Sequence, residues 1–330
     1  MKKWLALALK IAVSGALIWY LVGTIDIDAA KARLAQVDPL MLAAAAALLL
    51  LQMMIAGFRW RAVLRAIGVE LPYWEVVRLF YIGVFFNQAL PGGTGGDAVR
   101  IYMVYKSDVG LRGAFNGVIL ERVAIVLALV LLVVAAQPFI VPKLDEAAAA
   151  WVVPVVVLVT LGACAGLGLV CALDRLPKGL RRWRLVRGLG HLAGDARAVF
   201  LKPANALPAL LWGVAGHVNF SLSVFVLAVG LDIAISPMDT LVLIPPVLLV
   251  MTIPISIGAW GVRENAMVVS LGLVGVAPEA ATVLGLLVGL VGLCVAIPGG
   301  LIWLVQRRRH GVSLAQAESE LAAVGDAEKP

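Results

Sequence analysis

Three pairs of opposite charge stand where charge is costly: Asp97 with Arg100, Glu121 with Arg122, and Arg263 with Glu264. Each pair lies in or beside a long apolar run. A charge at the centre of a membrane helix costs about 2.5–3.5 kcal/mol, so six left alone would cost on the order of 15–20 kcal/mol. Pairing or a water-filled cavity is therefore required. Two chemistries suit these residue types. An arginine fork grips phosphate through two parallel hydrogen bonds, and a carboxylate accepts from an amine or from sugar hydroxyls. The six can hold a zwitterionic or anionic headgroup. They can equally neutralise one another as a structural network, and the sequence leaves both readings open. Covalent chemistry has less support. The chain shows no nucleophile–base constellation and no His-x-x-x-His or Cys-x-x-Cys metal pattern. Cys164, Cys171 and Cys294 are odd in number and sit in apolar runs, which gives no disulfide framework. The expectation is a protein that is not an enzyme and uses no cofactor.

Two glycine-containing blocks frame the charges. The first runs Asn87-Gln88-Ala89-Leu90-Pro91-Gly92-Gly93-Thr94-Gly95-Gly96-Asp97-Ala98-Val99-Arg100, and the second runs Pro254-Ile255-Ser256-Ile257-Gly258-Ala259-Trp260-Gly261-Val262-Arg263-Glu264-Asn265. They align without a gap: Pro91, Gly95, Val99 and Arg100 fall on Pro254, Gly258, Val262 and Arg263, Gly93 on Ser256, and Gly96 on Ala259. Pro91 and Pro254 break the preceding helix. Glycines permit left-handed backbone and close approach of another backbone or a ligand. Irregular backbone at membrane depth persists only where protein buries it or water reaches it. A helix starting after each break would aim free amides into a cavity, as an anion site does. The Gly-Lys-Ser/Thr ending of a nucleotide-binding loop is absent, so any movement is expected to be passive or ion-coupled. Asn87 either lines that cavity or caps freed backbone. The candidate substrate-contacting set is Asn87, Gly92, Gly93, Gly95, Gly96, Asp97, Arg100, Glu121, Arg122, Ser256, Gly258, Arg263 and Glu264. His217, Asn219, Ser221 and Ser223 share one span and read as polar glue between helices.

The elements that position these residues are membrane helices. Of 330 residues, 62% are hydrophobic and 14% charged, against about 25% charged in soluble domains. That excludes a soluble globule. The apolar residues fall in unalternating runs of about 20, the length of a spanning helix and unlike the alternating strands of a membrane barrel. Six full spans are expected, at about 4–22, 40–58, 114–139, 151–173, 204–230 and 280–305, the first being an uncleaved helix. Arg59, Arg61 and Arg65 then open a loop after the second span. The interrupted segments at 73–90 and 241–276 are expected to be two re-entrant hairpins. Together the calls describe an all-α polytopic protein: one transmembrane domain over 1–309, with repeat 1 at about 40–139, a basic cytoplasmic linker at 174–203, repeat 2 at about 204–305, and a polar tail at 310–330. With re-entrant hairpins the Lys/Arg-rich loops all fall on one side, placing both termini in the cytoplasm. Full crossing of both segments is the alternative. Because the hairpins then open to opposite faces, the two halves form an inverted repeat. The net charge of +7 is accounted for by those loops, and no nucleic-acid partner is expected.

The first block, Glu121-Arg122 and the second block together resemble the lysylphosphatidylglycerol synthase transmembrane, or flippase-like, family. That family includes the membrane domain of the multiple peptide resistance factor, which moves aminoacylated phosphatidylglycerol between leaflets. The likeness covers about residues 4–305. The second block, Ser256 to Gly261, is less glycine-rich than the family pattern. The resemblance implies a stand-alone translocator of a phospholipid or a polyprenyl-linked substrate in the inner membrane, since the chain ends about 25 residues past its last span, without a synthase domain. Two rivals remain: a non-catalytic membrane subunit partnered with a lipid-modifying or glycosyl-transferring enzyme, and an intramembrane enzyme acting on lipid phosphates.

Overall fold

The computed structural model describes residues 34–89, 95–107, 109–144, 146–175, 184–252 and 259–310. The expected span at 4–22 lies outside them. Every helix or turn described belongs to an all-helical membrane protein. Helix α1 is Pro39–Ala66, α2 Tyr73–Ala89, α3 Gly95–Lys106, α4 Leu111–Ile140, α5 Glu146–Cys171, α6 Arg184–Phe200, α7 Pro203–Gly230, α8 Pro237–Met251, α9 Val262–Gly272 and α10 Pro278–His310. Five of these, α1, α4, α5, α7 and α10, are long and apolar enough to cross a bilayer. They coincide with the other five spans expected from sequence.

Local chemistry sets the ends. Asp38 caps α1 by accepting from the Leu40 amide at 2.8 Å, with Pro39 at the first helical position. Ser236 and Asp239 form a capping box at the start of α8. The end of α1 corrects the sequence reading. The helix does not stop at residue 58 but runs on to Ala66, because Trp60, Val63 and Leu64 continue its apolar face and are fully buried. Arg59 is therefore not in a loop; it is a buried helical residue, 3% exposed.

The interrupted segments become two helix–break–helix units. Helices α2 and α3 have 17 and 12 residues, and α8 and α9 have 15 and 11. At about 1.5 Å per residue even the longest reaches only about 26 Å, short of a hydrocarbon core of about 30 Å. Within each unit the arms pack on each other. In the first unit this needs glycine: a Cβ on Gly96 would fall on the carbonyl oxygen of Gly83. The outer face of α2 lies against α10, where Gly299 and Gly300 make room for Tyr81 and Phe85, and the Tyr81 hydroxyl donates to the Val295 carbonyl at 2.7 Å.

The packing has an internal correspondence. Exchange α1 with α7, α2 with α8, α3 with α9 and α4 with α10, and each contact among these eight helices has its counterpart. Helix α1 meets α2 as α7 meets α8; α3 meets α4 as α9 meets α10; α2 meets α10 as α8 meets α4; and α4 meets α7 as α10 meets α1. The pair that maps onto itself, α1 with α7, shares the most extensive interface. Gly230 lies against Met41 there, and Asn219 donates to the Leu48 carbonyl and to Gln52 Oε1 at 2.9 and 3.0 Å. The expected helix-gluing role of His217 and Asn219 is thus met, since His217 Nε2 also lies 3.2 Å from the Ile125 carbonyl on α4. The largest apolar core joins α7–α10, around Leu227, Ile244, Met267, Leu271 and Leu284.

The basic segment expected as a linker contains a docked helix. Leu192, Ala193, Ala196 and Val199 of α6 are buried, and α6 packs on α4, α5 and α7. Asp195 accepts from Arg112 Nη2 and Asn116 Nδ2, each at 2.6 Å. Asp174, just beyond α5, is held by both terminal nitrogens of Arg197 at 2.9 and 2.7 Å. Those hydrogen bonds keep the Asp174 carboxyl below its ordinary range. The sign follows: a depressed carboxyl contributes stability above its unfolded pKa and loses it as pH falls through the folded value. Protection of the α6 amides from hydrogen exchange, taken against the intrinsic exchange rate at each pH, is expected to fall below about pH 4, near the ordinary Asp value. Protection unchanged across that range would remove Asp174 as a latch.

Candidate functional site

The first charged cluster is built from three helices. Glu121 on α4 is wholly buried and lies between two arginines. Arg59 of α1 donates from Nε and Nη2 to its Oε1 at 3.0 and 2.6 Å. Arg100 of α3 donates from Nη2 to its Oε2 at 3.1 Å and to Asp97 Oδ1 at 2.7 Å. Asp97 in turn takes a two-pronged hold from Arg122, with Nε on Oδ2 and Nη2 on Oδ1, both at 2.8 Å. The order is Arg59–Glu121–Arg100–Asp97–Arg122. Burial grades along it, from Glu121 at 0% through Asp97 at 15% to Arg122 at 45% side-chain exposure. One end of the network is sealed in protein and the other is open.

Two features of this cluster bear on chemistry. It carries three guanidiniums against two carboxylates, one positive charge in excess among the described residues. And Arg100, 2% exposed, has its Nη1 without a hydrogen-bond partner among the described residues. The guanidinium carbon stands 4.7 Å from the Trp60 ring centroid and 4.9 Å from that of Phe80, a cation–π setting that offsets part of its desolvation. Gly83 leaves room for the stem, since a Cβ there would lie 2.6 Å from Arg100 Cγ.

The second cluster is smaller and balanced. Arg263 donates from Nε to Glu264 Oε1 at 3.0 Å, and both are buried. Glu264 Oε2 accepts from the Gly261 amide at 2.7 Å. The Arg263 guanidinium lies 4.6 Å from the Trp260 centroid and flat against Gly289 of α10. Among the described residues, no hydrogen bond joins the two clusters. Gly289→Ala would set a methyl on the Arg263 guanidinium and push it from Glu264. The expected cost is about 1–3 kcal/mol, read as a lower melting temperature in detergent. The open position Gly292 should tolerate alanine, and equal behaviour of the two variants would contradict the fit.

The aligned blocks do not fold alike. Helix α3 already begins at Gly95, whereas 259–261 are still turn and α9 begins at Val262. Left-handed backbone occurs at Ala259 (φ 61°) and Gly261 (φ 81°), and not at Gly96. Gly96 serves a backbone crossing instead. Two of the amides expected to face a cavity are instead taken within the protein. Asn87 Oδ1 accepts from the Gly96 amide at 2.9 Å, and Glu264 takes the Gly261 amide. Gly92, Gly93, Ser256 and Gly258 lie outside the described residues. Of the six charges expected to act together, Asp97, Arg100, Glu121 and Arg122 form one group, and Arg263 with Glu264 form another. Arg59 was missed by sequence reasoning. Its signal was the apolar spacing of Trp60, Val63 and Leu64, which carries the helix past it.

Comparison with known proteins agrees with this architecture. The family model described as the lysylphosphatidylglycerol synthase TM region matches residues 7–300. The UPF0104 membrane protein PH1989 of Pyrococcus horikoshii is 24% identical over 133 residues, which is 39% of this chain and 38% of that protein. The match thus spans well under half of that relative's length. No solved structure matches. The chain belongs to the lysylphosphatidylglycerol synthase TM-region family.

Proposed function

We propose that this member of the lysylphosphatidylglycerol synthase TM-region family is a lipid flippase, moving a phospholipid or lipid-linked headgroup between the leaflets of the cytoplasmic membrane. The observation that carries the reading is the ion cluster reaching from wholly buried Glu121 to half-exposed Arg122. A polar headgroup crossing hydrocarbon needs a path that replaces its water partner for partner, while its acyl chains stay in lipid. A chain of alternating guanidiniums and carboxylates does this, because each group can release one partner and accept another without standing uncompensated. The two helix–break–helix units act as re-entrant hairpins of an inverted repeat, with Arg263 and Glu264 completing the polar path from the second hairpin. The exchange correspondence among α1–α4 and α7–α10 supports that reading. With the 4–22 span the topology is six spans and both termini cytoplasmic. No covalent step is assigned: the protein binds and releases, and is not an enzyme.

The test compares wild type with Asp97→Asn in proteoliposomes carrying a labelled phospholipid. Asn keeps the shape of Asp97 and an acceptor oxygen for the arginines that hold it, and a cooperative melting transition shows that the variant used is folded. Loss of a charge-assisted pair on the path should lower leaflet exchange by at least about tenfold. Wild-type exchange by a folded Asp97→Asn protein would remove Asp97 from the path.

A second reading rests on α5. Among the described residues its membrane-long apolar window has nothing buried, and the helix packs mainly on α4, α6 and the short turn after it. That surface suits a partner helix, as in a non-catalytic subunit holding a lipid-modifying or glycosyl-transferring enzyme. Stoichiometric co-purification of such an enzyme, without exchange by this chain alone, would favour it.

A further inference from the structure

We infer that the exposed leucine face of α10 is covered by the chain's own first apolar segment, residues 4–22, which lies outside the described residues. The inference rests on the six-span topology above and is independent of lipid movement. The correspondence between the two halves of the bundle carries it. Eight helices pair off as α1–α4 with α7–α10, and each contact among them has its counterpart. Helix α5 is the membrane-long helix that precedes α7, and it packs on α4. The same exchange turns α7 into α1 and α4 into α10. It therefore calls for a membrane-long helix that precedes α1 and packs on α10. One apolar run of that length precedes α1 in the sequence, and it is 4–22. The directions agree. Helix α5 follows α4 through a short turn, so the two run antiparallel. In the six-span topology segment 4–22 starts in the cytoplasm, where α10 ends, so these two also run antiparallel.

The two surfaces suit each other. Leu290, Leu293, Ile297, Leu301 and Leu304 follow one another in steps of three and four and are 43–58% exposed, while other faces of α10 pack on α2 and α9. A row of bulky side chains admits a partner helix closely where that partner's residues are small. Ala8, Ala12 and Gly15 recur at the same spacing, which sets them on one helical face. Residues 23–38 join Val22 to Pro39 and reach up to about 50 Å when extended, and α1 lies directly against α10. The repeating unit is then five helices, starting at residue 4 in one half and at α5 in the other. Each outer helix backs the helix behind an ion pair. Helix α5 backs α4, which carries Glu121, and 4–22 backs α10, whose Gly289 receives the Arg263 guanidinium. The leucine face of α10 becomes interior, and α5 is left as the surface for a partner helix.

Two native cysteines report which helix the segment covers. Cys294 is exposed on α10 and Cys164 is exposed on α5. Cys294 stands about eleven residues before Val305 and Gly15 about eleven after Trp4, so antiparallel packing sets the two at a similar depth. The experiment takes the full chain with Cys171→Ser and adds Ala12→Cys, Gly15→Cys or Leu17→Cys, one at a time. Each is oxidised in membranes with copper phenanthroline, and the joined peptides are identified by mass spectrometry. A cooperative melting transition qualifies each variant as folded. Gly15→Cys or Ala12→Cys should form a disulfide with Cys294 in the same chain, seen also as loss of Cys294 labelling by a maleimide. Leu17→Cys, on the opposite side of the helix, should leave Cys294 free to label. A disulfide to Cys164, a bond to Cys294 only between two chains, or no bond to Cys294 from either position in a protein whose intact mass retains residues 1–33, would overturn the inference. An intact mass lacking the first span would overturn the six-span topology with it. Leaflet exchange is read separately, so failure of the flippase reading leaves this result standing.

Discussion

Glu121→Leu is expected to be the most damaging single substitution in the protein. It strips Arg59 of both its hydrogen bonds and leaves Arg100 with Asp97 alone, while both arginines stay 2–3% exposed. The cluster then holds three positive charges against one negative. Breaking a buried pair by removing one partner costs about 3–5 kcal/mol, because the survivor is left charged and dry. The double variant Arg59→Met/Glu121→Leu removes both ends of the pair and should lose less than Glu121→Leu alone. Melting temperatures of the three proteins in one detergent decide this. A double variant no more stable than Glu121→Leu would mean that Arg59 and Glu121 are not an energetic pair.

Gly96→Ala should come second. Its Cβ would land on the main-chain oxygen of Gly83, and a backbone atom within a helix cannot swing aside as a side-chain tip can. The arms of the first hairpin must separate. Overpacking typically costs about 1–3 kcal/mol, and a backbone clash belongs at the upper end. The displacement also moves Asp97 and Arg100, one and four residues along the same helix. Function should therefore fail even where the fold survives. Gly162→Ala on α5, which has open space around it, is the control and should be neutral. Wild-type melting and exchange for Gly96→Ala would mean that the two arms do not cross there.

The sequence made the spans legible because length and composition alone decide them. Five apolar runs reappear as α1, α4, α5, α7 and α10. The breaks were legible for a similar reason, since proline and glycine interrupt an apolar stretch visibly. What sequence did not show was which charges meet. Adjacent residues such as Glu121 and Arg122 point to different partners, Arg59 and Arg100 for one and Asp97 for the other. Three separate helices supply the first cluster, and only tertiary packing sets that grouping. Arg59 was hidden because an arginine after an apolar run ordinarily marks a membrane edge. Likewise Gly96 looked like ligand space and proved to sit where its helix crosses the backbone at Gly83. Of the two roles open to Asn87 it takes the capping one, on the Gly96 amide, whereas the cap that Glu264 places on the Gly261 amide was not legible in the sequence.

The central claim is that this chain by itself moves lipid headgroups between leaflets. The most direct test reconstitutes the purified protein, with no other component, into vesicles carrying a labelled phospholipid in one leaflet, and follows its arrival in the other. Phosphatidylglycerol, phosphatidylethanolamine, an aminoacylated phosphatidylglycerol and a polyprenyl-linked sugar form the panel. The account predicts exchange well above protein-free vesicles for at least one of these, abolished in folded Asp97→Asn. Exchange at the protein-free rate for every lipid would contradict it, and would leave a supporting role beside a lipid-modifying enzyme as the better description.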